Sequence, residues 1–120
     1  MFAQLKDLQF KSLAGKRDFS LYGSDVEMLH SDLYFVIEYE NSSRGLCANL
    51  LRILRLQDIH KQKIRIILIR TDKHVKMHGT DFLNCSKLIE LVPQSDQLKI
   101  VIIDGCDFKG FDPAYLAGLF

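Results

Sequence analysis

With 120 residues, 48% of them hydrophobic and 26% charged, the chain has the make-up of an ordinary soluble protein and the length of one domain with a real core. Its formal net charge of +1 argues against a general nucleic-acid binder, and no apolar run approaches the roughly 20 residues a bilayer crossing requires. Early charges at Lys6, Asp7, Lys11, Lys16, Arg17 and Asp18 break up any signal-peptide core, so a cytoplasmic location is expected. Cys47, Cys85 and Cys106 are too dispersed for a disulfide framework and read as free thiols or small apolar side chains.

The chain reads as a single α/β domain over residues 1–120, with a mixed pattern in the N-terminal section 1–31. Met1 to Gly15 starts like an amphipathic helix and ends like a strand. Asp18 to Tyr22 reads as a short strand entering a turn at Gly23, Ser24 and Asp25, and Val26 to Leu29 as another short element. Leu33 to Tyr39 is the first clear strand, dense in β-branched and aromatic residues. After the polar break at Asn41 to Gly45, apolar residues at Leu46, Leu50, Ile53, Leu54, Leu56 and Ile59 recur at helical spacing, leaving Asn49, Arg52, Arg55 and Lys61 for the wetter side.

Ile64 to Ile69 follows as a nearly continuous apolar run, the pattern of a strand whose sheet is covered on both faces, and Leu98 to Ile103 repeats it. Between them Thr80 or Asp81 starts a helix that places Phe82, Leu83, Leu88, Ile89 and Val92 inward and stops at Pro93. Asp112 and Pro113 are a cap and first position for a last helix reaching Phe120. Alternating strands and helices predict a small, twisted, mostly parallel sheet packed with helices.

Open α/β sheets place their sites at the carboxyl ends of the strands. That edge would hold Asp72 and His74 after one central strand, and Asp104 and Asp107 after the next, a polar cluster with Asp104 as its first residue to inspect. His74 and His78 have the spacing of helical metal ligands without an HExxH arrangement, and no cysteine spacing completes a zinc site, so no metal is expected. Nor do the glycines spell a dinucleotide or Walker loop, and no cofactor is expected. The apolar tail ending at Phe120 either meets another surface or folds back on its own core.

The order of elements, with Leu33 to Tyr39 and Ile64 to Ile69 as central strands and the loop Met77, His78, Gly79, Thr80, Asp81 entering the Phe82 to Val92 helix, resembles a STAS-type regulatory domain. The resemblance implies that this loop and helix start meet a protein partner, with Thr80 nearest to the family's phosphorylated Ser or Thr. A shorter stretch, Arg65 to Leu68 followed by Gly79, Thr80, Asp81 and Phe82, resembles the crotonase superfamily, with Thr80 at that motif's alanine and Gly105 and Gly110 in its later loop. That second resemblance implies an acyl-thioester-binding domain whose loop amides form an oxyanion hole.

The leading expectation is a non-catalytic regulatory or protein–protein interaction domain, with the crotonase-like enzyme as the alternative. Its partner would be another protein or a second copy of the chain, met through His78, Thr80 and Asp81 or through the tail carrying Phe111 and Phe120.

Overall fold

The computed structural model describes residues 21–40, 43–70 and 86–120. Among them run β1 (Val26–His30), β2 (Leu33–Glu40), α1 (Ser43–His60), β3 (Ile64–Arg70), a helical segment α2 (86–91), β4 (Leu98–Asp104) and α3 (Pro113–Gly118). The predicted α/β class is the one observed. β1 to β4 lie in that order, with β1 antiparallel to β2 and the pairs β2–β3 and β3–β4 parallel.

β3 is buried along Ile64 to Ile69, as its unbroken apolar run requires of a strand covered on both faces. Alternate residues of each strand then serve different cores. Tyr34, Val36, Ile64, Ile66, Leu68 and Ile100 face Leu46, Leu50 and Ile53 of α1, joined by Leu88 and Ile89 of α2 and by Val92. Phe35, Ile37, Ile67 and Ile69 face the other way, onto Phe108 and onto Leu116 of α3. Because α1 and α2 belong to successive crossovers and lie on one face, β2, β3 and β4 are wound in a single direction.

Two expectations for the N-terminal half need correcting. Leu21 and Tyr22 form a bend, not the end of a strand; the Glu27 carboxylate accepts from the backbone N–H of Leu21 (2.9 Å), Tyr22 (3.0 Å) and Ser24 (3.0 Å) and holds the chain curled before β1. Residues 18–20 of that expected strand lie outside the described residues, as does Met1 to Gly15. The second correction concerns Ile59, placed inward by periodicity but 66% exposed, while Gln57 and His60 of the same turn meet Tyr22. The β1–β2 turn is made by Ser31 and Asp32, with Ser31 in the left-handed region at φ 57.

α2 ends where Pro93 demands, and the Val92 N–H donates to the Ile89 carbonyl at 3.0 Å to close it. Asp112 caps α3 as expected, its carboxylate accepting from the Tyr115 N–H at 3.4 Å, with Pro113 opening the helix. Six residues are too few for a helix to hold itself together. Replacing Asp112 with alanine is therefore expected to cost about 1 kcal/mol, read by urea unfolding, with the loss centred on α3.

Candidate functional site

β2, β3 and β4 end in register, and the last position of each is charged: Glu40 pairs with Arg70, and Arg70 with Asp104. By the alternation of the strands these three side chains share the α1 face. The Arg70 guanidinium donates to Asp104 in an ion pair, and the Gly105 N–H donates to the Arg70 carbonyl at 2.7 Å, carrying the ladder one residue beyond β4. An acid, a base and an acid thus stand side by side along the carboxyl edge.

One layer deeper lies Glu38, only 3% exposed in a row whose next member is Leu68. A charge that deep requires partners, and α1 supplies them. Arg52 donates through Nη2 to Glu38, through Nη1 to the Asn49 side-chain oxygen at 2.6 Å, and through Nε to the Tyr22 carbonyl at 3.0 Å. Asn49 in turn donates its amide N–H groups to Glu38 and Glu40, each at 3.2 Å.

Desolvation pushes the Glu38 carboxyl up to about 7, and the Asp25 charge adds to the effect. The nearby Ser24 hydroxyl and the Arg52 guanidinium oppose that rise without cancelling it. Ser24 is fully buried, yet its hydroxyl meets no partner at full hydrogen-bond geometry. Asp25 turns one carboxylate oxygen to the Tyr39 N–H at 2.9 Å.

Of the residues singled out from sequence, Asp104 is held by Arg70. Asp107 lies in the turn just after β4, its N–H donating to the Asp104 carbonyl at 2.9 Å while its side chain is exposed. These two are neighbours through the backbone of one turn. Asp72, His74, His78, Thr80 and Asp81 lie outside the described residues. Phe111 and Phe120 pack, partly buried, against the core on the α3 face, so the tail folds back on its own domain.

Glu38, Arg52 and Asn49 were missed as a group. Their signal was present: Glu38 and Glu40 alternate at the end of an apolar strand, and Asn49 and Arg52 are three apart on the next helix, which puts them on one face. Assigning Asn49 and Arg52 to the wetter side concealed it.

At the opposite edge Lys63 bridges Asp32 (3.1 Å) and Asp96 (3.3 Å), and the hydrogen bond and charge of Lys63 hold Asp32 below the usual carboxylate range. Buried Arg65 donates to the Ile64 and Asp96 carbonyls at 3.0 and 2.9 Å. An open cavity of about 430 Å³ lies near this edge, lined by Leu54, Gln57, Asp58, Lys61, Gln97 and Leu98. It gathers no set of acids, bases or nucleophiles like that at the carboxyl edge.

Among the described residues no group of three or more His, Cys, Asp or Glu side chains is placed to hold a metal ion, and no helix is long and apolar enough to cross a membrane. No protein-family model, curated protein or solved structure matches the chain.

Proposed function

We propose that the chain is a non-catalytic regulatory domain that works by binding another protein, in the manner of the STAS-type domains it resembles, in the cytoplasm. The observation that carries this reading is the charge row Glu40, Arg70 and Asp104 across the strand ends. Arg70 and Asp104 neutralise each other, and Glu40 is tied to Asn49. Groups paired in this way offer a partner oriented polar atoms at the strand ends and no free acid or base, which favours selectivity over proton transfer.

The winding of the sheet supports the same reading. Ligand crevices in open α/β sheets form where strand order reverses and neighbouring helices part to opposite faces. Here β2 to β4 advance one way with α1 and α2 on the same face.

The test pairs Glu40→Arg with Thr80→Glu, the second addressing the loop expected to meet the partner. Quantitative affinity capture with the intact chain is expected to recover a protein that either substitution reduces at least about tenfold, the loss that about 1.4 kcal/mol of binding energy produces. Circular dichroism should show both variants folded. Unchanged capture by both variants, or turnover of acyl-CoA thioesters by the wild-type chain, would overturn the proposal; the second result would favour the crotonase-like alternative.

A further inference from the structure

The Arg52 guanidinium joins three parts of the chain: α1, which carries it, the end of β2 through Glu38, and the bend before β1 through the Tyr22 carbonyl. We propose that Glu38, Asp25 and Arg52 form a proton-operated latch, which fastens α1 to the bend that enters β1 at alkaline pH and slackens as the medium becomes acidic.

Among the described residues, the neighbours that bear on Glu38 come from four parts of the chain. On its own strand Glu40 shares the Asn49 amide with it. From β3 the register partner is Leu68, which is apolar and solvates no charge. From α1 come Arg52 and Asn49, and from the segment before β1 come Asp25, a second negative charge, and the Ser24 hydroxyl. The Arg52 guanidinium is bonded to a buried carboxylate that has another acid beside it. Arg52 is 38% exposed and has water as a ready substitute, whereas Glu38 does not.

When Glu38 takes a proton from solvent, its charge no longer holds Nη2. The new O–H is a donor, and the nearby Ser24 hydroxyl, which favours the charged form of Glu38, has to turn from donor to acceptor to meet it. Arg52 then keeps only neutral acceptors, Asn49 and the Tyr22 carbonyl, and loses the Coulombic attraction of the carboxylate that held its guanidinium in place. Burial places the carboxyl at about 7, so the change falls within the range a cell can reach.

The full-length chain, with labelled carboxyl carbons and arginine side-chain nitrogens, tests this by NMR titration from about pH 5 to about pH 9. The Glu38 carboxyl and the Arg52 Nε–H chemical shifts are expected to change with one shared midpoint near neutrality, the Nε–H gaining protection above it relative to its intrinsic base-catalysed exchange. Glu38→Gln should abolish the Arg52 transition and leave the protection of its Nε–H low and unchanged with pH. Asp25→Asn, which keeps a neutral group of the same shape, should move the midpoint down by roughly half a unit or more. An Arg52 signal that stays flat in the wild-type chain overturns the latch, as does a transition that survives Glu38→Gln. A Glu38 carboxyl titrating in the ordinary range does the same, and an unmoved midpoint in Asp25→Asn removes Asp25 from it.

Discussion

Arg52→Ala is expected to destabilise the domain by about 3 kcal/mol near pH 8.5 and by about 1 kcal/mol near pH 5.5. The larger figure is the cost of leaving the Glu38 carboxylate, 3% exposed, without its cation; the smaller is the cost of the hydrogen bonds from Arg52 to Asn49 and the Tyr22 carbonyl. The alkaline cost has a ceiling, because a carboxyl deprived of its partner binds a proton at still higher pH. Urea unfolding at the two pH values measures both, and an equal loss at each would show that the buried charge is not what Arg52 serves.

The wild-type chain has its own pH dependence at this site. The folded state holds the Glu38 proton up to about 7, against an ordinary value of 4.5, so between those values the native state binds more protons than the unfolded state. Stability from this group is complete below the ordinary value and is lost as pH rises through 7. The whole window is worth on the order of 3 kcal/mol. In Glu38→Gln that decline disappears. Arg52→Lys is expected to recover only part of the alkaline loss, since an ammonium cannot reach Glu38, Asn49 and the Tyr22 carbonyl in the fixed directions of a guanidinium.

The central strands were legible because burial on two faces selects a pattern that little else produces. Leu33 to Tyr39, Ile64 to Ile69 and Leu98 to Ile103 are each observed with one further residue, respectively Glu40, Arg70 and Asp104. Those three added residues are the charged edge itself. They were invisible as strand because a charge at the end of an apolar run reads as its stop, whereas parallel pairing continues until the backbone ladder runs out.

The short strand β1 was legible only as an element, for a related reason. Its turn, Ser31 and Asp32, has no glycine although Ser31 adopts a left-handed conformation, so the strongest hairpin signal was missing. The polar network was harder still. Whether Arg52 points to water or to Glu38 depends on which helix turn lies above which strand position, and helical periodicity alone does not contain that information. Periodicity misplaced Ile59 for the same reason: it assigns a face to a residue without knowing what packs against that turn, which here is Tyr22 against Gln57 and His60.

Phe108→Ala is expected to cost about 4 kcal/mol, within the usual range for truncating a buried phenylalanine. The ring is 1% exposed and lies between the sheet and the segment that leads into α3. It meets Phe111 edge-on at 5.4 Å and Tyr115 at 5.8 Å. The Tyr115 hydroxyl ties the same segment down, accepting from the Lys109 N–H at 3.1 Å and donating to the Asp107 carbonyl at 3.3 Å. α3, with six residues, depends on this contact and on Leu116 for its existence. Hydrogen exchange should therefore show α3 opening in the variant while α1 keeps its protection, because α1 packs on the other face of the sheet against Leu68 and Ile66. Phe108→Leu should recover more than half of the loss by restoring volume without the aromatic edge contacts. A cost under about 1 kcal/mol for the alanine variant would mean that Phe111, Tyr115 and Phe120 close over the gap, and that the α3 layer is held by the tail itself and not by the ring beneath it.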